Sequence, residues 1–254
     1  MKLNLRNIPL LLITAFFTFP VFSGYAKKNS QVESASDRRK ADYIFMEALR
    51  HHENEKEDAY YDLLRRAHEL DSTDTDVEFY LGYYTVMISR DDSVNFVRGF
   101  EMMKNHFAKR PDDFYGGFVY GSINDQLGNR DEALRVWTVL DSVFPQKPEV
   151  AYKLAEALVA SQDSSNVAKS IEVYDRIERS QGKNIPISTR KIRAYFVSQD
   201  TVSIFNEVKS LLASSPGSPE NNVFAGDIYA MFSERDSALK YYDRACELDP
   251  TSGL

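Results

Sequence analysis

The chain has 254 residues, 43% of them hydrophobic and 27% charged, with only 11 glycines and 9 prolines. That composition allows a sizeable core and disfavours a loop-rich all-β design. The net charge of −7 has the wrong sign for a phosphate-binding surface, so nucleic acid is not an expected partner, and the single cysteine, Cys246, rules out an internal disulfide.

The amino terminus reads as an export signal. Lys2 and Arg6 form a short basic zone, residues 8–22 (IPLLLITAFFTFPVF) are almost wholly apolar, and Ser23-Gly24-Tyr25-Ala26 places small residues at positions −3 and −1 of a cut after Ala26. The apolar run is shorter than the roughly 20 residues a spanning helix needs. The expected location is therefore the periplasm or cell envelope. Membrane attachment is expected only if the signal stays uncleaved or a carboxyl-terminal anchor follows. Residues 27–40 form a polar lead-in whose KKNSQVESASDR part is expected to be disordered.

From there the chain repeats. Pro111 and Pro145 are 34 residues apart, as are Pro216 and Pro250, and each follows a helical stretch (HFAKRP, LDSVFP, LLASSP, CELDP). The clearest unit is FAGDIYAMFSERDSALKYYDRACELDP, with small residues at Gly226 and Ala238, followed by Tyr242, Ala245 and Pro250. An earlier unit matches too: Gly121, Ala133, Trp137 and Pro145 fall in the places of Gly226, Ala238, Tyr242 and Pro250, and Gly128 stands between its two helices. These residues resemble the tetratricopeptide (TPR) repeat. Carried along the chain, the resemblance implies six units: 41–74, 75–113, 114–147, 148–184, 185–218 and 219–252. The second unit is five residues over the norm (SRDDSVNFVRG, 89–99), and the fourth is three over (SQDSSN). In the fifth, Lys191 and Ile192 stand where an apolar and a small residue are usual. The implied fold is all-α, a right-handed superhelical solenoid of about six helical hairpins.

Each hairpin of such a repeat needs neighbours to bury its apolar faces. Small residues (Gly82, Gly121, Ala155, Gly226; Ala133, Ser170, Ala238) let paired helices approach, and large ones (Leu64, Leu81, Met103, Trp137, Leu154, Leu158, Tyr174, Tyr229, Tyr242) fill the space around them. Residues 253–254 would open a seventh unit. Solenoids usually end in a polar capping helix, so the last hairpin is expected to be covered by further sequence, by a partner, or by self-association.

Reactive constellations are missing. The chain has no Gly-x-Ser-x-Gly turn, phosphate-cradling glycine loop or dinucleotide fingerprint, so no catalytic or cofactor-binding residue is assigned. No metal site is assigned either, because adjacent histidines in a helix, such as His51 and His52, point about 100° apart. His106 reads as a packed side chain, and Cys246 as an inert thiol. The paired acids Asp91-Asp92 and Asp112-Asp113 read as helix caps.

TPR first helices line a groove, and by resemblance the fifth and ninth positions of each unit face it. The fifth positions are Phe45, Phe79, Phe118, Tyr152, Thr189 and Val223; the ninth add Leu49 and Tyr83. The candidate protein-binding residues are therefore Phe45, Leu49, Phe79, Tyr83, Phe118 and Tyr152. They either anchor a partner segment or pack against their neighbours. Asp42, Asp76, Glu149 and Glu220 at second positions either attract basic segments or complement helix dipoles. The groove lacks the lysine and asparagine set of modules that clamp a carboxyl-terminal tail. Together these features lead to an exported scaffold that binds a protein or peptide. The alternative is the sensor or ligand-binding portion of a larger envelope signalling protein interrupted after Leu254.

Overall fold

The computed structural model describes residues 34–89 and 92–250. The export-signal segment and residues 253–254 lie outside the described residues. The described chain forms twelve helices, and among the described residues there is no strand. The helices pair as antiparallel hairpins within two compact units, one ending at Val143 and the other starting at Phe144.

The first unit contains α1 (Ala35–Glu53) with α2 (Glu57–Leu70), α3 (Thr75–Ile88) with α4 (Ser93–Lys109), and α5 (Phe114–Leu127) with α6 (Arg130–Val143). The second contains α7 (Pro148–Ala160) with α8 (Ser164–Gln181), α9 (Ile185–Val197) with α10 (Thr201–Ser214), and α11 (Pro219–Met231) with α12 (Arg235–Leu248). Inside each unit successive hairpins pack on one another. The four prolines that carry the period each stand two residues beyond a second helix: Pro111 after Lys109, Pro145 after Val143, Pro216 after Ser214 and Pro250 after Leu248. Proline has no backbone N–H and clashes with a preceding helical turn, so the chain must leave the helix there. The architecture is an all-α TPR-type helical repeat.

Helix starts follow local chemistry. Asp74 accepts from the N–H groups of Asp76 and Val77, Asp92 from Val94 and Asn95, and Asp113 from Tyr115 and Gly116. Such caps each contribute about 1 kcal/mol. Asp112 does something else: it accepts from Arg110 Nε at 3.0 Å. Four of the turns inside the hairpins share one backbone solution. Glu55, Gly128, Gln199 and Ser233 are left-handed, with φ of 58°, 72°, 58° and 62°. The next N–H in each case returns to a carbonyl five residues back, on His51, Asn124, Tyr195 and Tyr229. This is the Schellman closure of a helix end.

The structure corrects one expectation. The disorder expected of residues 27–38 does not extend to Arg38: α1 begins at Ala35. Ser34 accepts from the Asp37 N–H at 3.1 Å, and Ala41 is completely buried, so this segment has both a cap and a packing face. The extra length of the fourth unit goes into a helix. SQDSSN is helical from Ser164, and the added residues lengthen α8 to 18 residues. The extra length of the second unit likewise accompanies a 17-residue α4.

The core uses the small and large residues in alternation. Trp137, Met103, Leu64 and Tyr174 are buried, as are Ala133, Ala155 and Ser170. The Trp137 indole lies against Gly121 and its Nε1–H donates to Asp125 at 3.2 Å; the Tyr242 ring lies against Gly226. Gly82 and Gly99 face each other across α3 and α4: a Cβ on Gly82 would come within 2.7 Å of the Gly99 carbonyl, and one on Gly99 within 2.6 Å of the Gly82 carbonyl.

His106 joins the second and third hairpins. It is 1% exposed, its Nδ1 donates to the Thr75 carbonyl at 2.7 Å, and its Nε2 lies 2.8 Å from Asp113 Oδ2. The same Oδ2 accepts from the Gly116 N–H at 3.0 Å, so one carboxylate caps α5 and holds the imidazole. His106→Gln is expected to lower the urea unfolding midpoint by an amount equivalent to about 1–2 kcal/mol, because buried polar groups lose partners. An unchanged midpoint would show that this bridge contributes nothing.

Candidate functional site

The described first helices of the first unit carry an aromatic shelf. Its centre is Phe79, 1% exposed. The Phe79 ring meets Tyr80 at 5.3 Å, Tyr83 at 6.2 Å, Tyr115 at 5.9 Å and the His106 imidazole at 5.0 Å between centroids. Phe79 is therefore a buried post, and its expected place on a binding surface is corrected. An aromatic at a fifth position is driven inward here because three rings and an imidazole enclose it. The surface consists of the tyrosines around it. Tyr80 and Tyr83 are half-buried and Tyr115 is 44% exposed.

Phe45 reaches this group, its ring 5.6 Å from Tyr80. Leu49 is half-buried against the cluster formed by Ala48, Tyr60, Leu64, Leu81 and Met102. Phe118 is half-buried and leans on Trp137 at 5.2 Å, so much of its ring serves packing. Neither Tyr80 nor Tyr115 stands at a fifth or ninth position of its unit, so position in the repeat does not pick them out. The signal available was the density of rings itself, Phe79-Tyr80 followed by Tyr83-Tyr84, more than one core face of a short helix needs.

The three shelf hydroxyls have no hydrogen-bond partner among the described residues. Elsewhere tyrosines bond inward: Tyr120 donates to Glu132 at 2.9 Å, Tyr152 to Gln181 at 3.0 Å and Tyr242 to Asp227 at 2.9 Å. Burial, then the neighbouring Tyr115, pushes the Tyr83 phenol up to about 12. Tyr80 is raised by burial and by Tyr115, Asp113 and Asp76; Tyr115 is raised by burial and by Asp113. All three are neutral phenols at physiological pH, each able to donate and accept.

Tyr152 lies in the second unit and has a different environment. The Arg190 guanidinium sits 5.0 Å from its ring centroid, and Arg190 Nε donates to Glu156 at 3.4 Å. Its ring face and hydroxyl are thus both engaged within the chain. Thr189 Oγ donates to the Ile185 carbonyl at 2.8 Å.

The second unit also buries a cluster of charges. Lys191 Nζ contacts Asp175 at 2.8 Å, Glu178 at 3.0 Å and Glu207 at 3.0 Å. Lys183 Nζ contacts Glu178 at 3.1 Å and Glu207 at 2.7 Å, and Ser188 Oγ donates to Glu207 at 2.7 Å. Burial alone would lower the Lys191 ammonium, but its bonds to Asp175, Glu178 and Glu207 outweigh burial and raise it. Glu207 moves the other way: burial opposes, and Lys183, Ser188 and Lys191 prevail to lower it. A lysine acting as nucleophile or base needs a lowered value. Lys191 is the reverse, a structural cation. Among the described residues no group of three or more His, Cys, Asp or Glu side chains is placed to hold a metal ion. His51 lies 3.7 Å from Glu47, and His52 stacks on Tyr60 at 4.6 Å. No described helix is long and apolar enough to cross a membrane.

Comparison with known proteins gives the fold's company. No family model matches the chain, and no curated protein matches it. Among solved structures, PilF of Pseudomonas aeruginosa is similar at 15% identity, with a TM-score of 0.47 over 85% of this chain and 95% of that one. A thermophilic TPR protein of Thermus thermophilus is similar at 17% identity, with a TM-score of 0.37 over 84% and 93%. MamA of Desulfovibrio magneticus is similar at 11% identity, with a TM-score of 0.40 over 85% and 98%. The assignment of the repeat rests on the hairpins and their spacing.

Proposed function

We propose that this chain is an exported interaction scaffold whose first unit docks a segment of a partner protein on the shelf formed by Tyr80, Tyr83 and Tyr115. The observation that carries the reading is the state of these rings. They are fixed around a buried post, partly accessible, and their hydroxyls are unused by the chain. Rigid amphipathic rings supply contact area at low entropic cost, and such residues dominate binding hot spots. Phe45, Leu49 and Phe118 extend the shelf with apolar surface. The basic, apolar and small-residue zones of residues 1–26 support export.

The test is capture of partners from the envelope fraction by the full chain and by a Tyr83→Ala/Tyr115→Ala variant. The variant is expected to recover at least about tenfold less of a specific partner. Its helical circular dichroism should stay unchanged. Equal recovery would remove the shelf from the function. The recovered protein should begin at Lys27, and a chain that retains Met1 would remove cleavage by a signal peptidase.

A further inference from the structure

The charge of the chain is unevenly divided. From Ser34 to Val143 there are 22 acidic and 14 basic residues, a net of −8; from Phe144 to Leu254 there are 15 and 13, a net of −2. Most of the net negative charge thus belongs to the unit that carries the tyrosine shelf. Two of those acids stand at the helix starts that carry the shelf: Asp76 lies one turn before Tyr80 in α3, and Asp113 accepts from the Tyr115 N–H at 3.1 Å.

Tyr152 in the second unit shows what such a ring attracts. There the chain supplies its own cation, Arg190, over the ring and tethers it to Glu156. Over Tyr80, Tyr83 and Tyr115 no cation of the described residues lies within cation–π range. Both acids have a basic neighbour within the chain: His106 Nε2 lies 2.8 Å from Asp113, and Arg110, itself exposed, pairs with Asp76 at 3.6 Å and with Asp112 at 3.0 Å. Aromatic faces attract ammonium and guanidinium groups, phenol oxygens accept their N–H bonds, and adjacent carboxylates reinforce both. A unit of net charge −8 also draws a positive segment in from a distance.

Resting on the docking role of the shelf, we infer that its occupant is a lysine- or arginine-bearing segment of a partner protein, placing its cationic side chains across Tyr80, Tyr83 and Tyr115 beside Asp76 and Asp113.

The test selects displayed random peptides on the immobilised full chain. The selected peptides are expected to be enriched in Lys and Arg. Their affinity should fall about tenfold from low to high salt, since surface attraction is screened beyond roughly a Debye length. Tyr83→Ala/Tyr115→Ala should abolish binding, and Asp76→Asn should weaken it several-fold while leaving helicity intact. Neutral or acidic peptides that still need the tyrosines would overturn the cationic occupant and leave the docking surface standing. Peptides held equally by the tyrosine variant, or no enrichment at all, would overturn both.

Discussion

Lys191→Met is expected to destabilise the second unit by about 3–5 kcal/mol. The ammonium is 5% exposed and bonded to Asp175, Glu178 and Glu207, while Lys183 remains bonded to Glu178 and Glu207. Removing one cation leaves the buried Glu207 and the largely buried Glu178 sharing a single lysine, while Asp175, 44% exposed, turns to water. Replacing Lys191 and Glu207 together by Met and Leu removes a charge of each sign and is expected to recover most of the loss, because an apolar substitute needs no compensation. Denaturant unfolding followed by circular dichroism checks both variants; a single variant within 1 kcal/mol of the parent would show that the cluster is better hydrated than its geometry implies.

The pH dependence has a definite sign. Glu207 is lowered on folding, so its contribution is present above about 4.3, the ordinary glutamate value, and is lost as pH falls through the lower folded value. Lys191 is raised, so its contribution is present below about 10.4 and is lost as pH rises through the higher folded value. The cluster therefore stabilises across the whole neutral range. Lys191→Met should flatten the alkaline limb of the stability profile.

Gly82→Val should cost at least about 3 kcal/mol in the first unit. Even a Cβ at this position would stand 2.7 Å from the Gly99 carbonyl and 2.8 Å from Met102 Cβ. Neither obstacle is a flexible side-chain tip, so α3 and α4 would have to separate. Loss of glycine's backbone freedom in the unfolded chain returns less than about 1 kcal/mol, so the clash decides the sign. Gly217, with nothing within 4 Å of a built Cβ, is the control: Gly217→Ala should stay within about 0.5 kcal/mol of the parent. Hydrogen exchange would locate the loss in α3 and α4. If Gly82→Val matched the control, the two backbones would have to be farther apart than described.

The hairpin pattern was legible because its causes are local. Pro111, Pro145, Pro216 and Pro250 follow the ends of second helices, Pro148, Pro186 and Pro219 sit in the first turn of first helices where no N–H is needed, and Asp74, Asp92 and Asp113 cap from their own sequence positions. The turns were less legible. Gly128 advertises a left-handed residue, but Glu55, Gln199 and Ser233 adopt the same conformation without the residue type that signals it. Lys191 appeared only as a departure from the repeat, since its partners lie 13 and 16 residues away in one direction and 16 in the other, at Glu178, Asp175 and Glu207. The candidate surface was half legible. Position alone could not tell that Phe79 turns inward while Tyr80 and Tyr115 remain accessible, because that depends on the rings of the neighbouring hairpin.

Trp137 has one more consequence. It is the chain's single tryptophan, fully buried, and it lies in the unit that ends at Val143. Its emission is an intrinsic optical probe of that unit alone, whereas the far-ultraviolet helical signal sums both. Superimposable denaturation curves from the two signals would mark one cooperative transition; separated curves would resolve the two units as independent folding domains without any label.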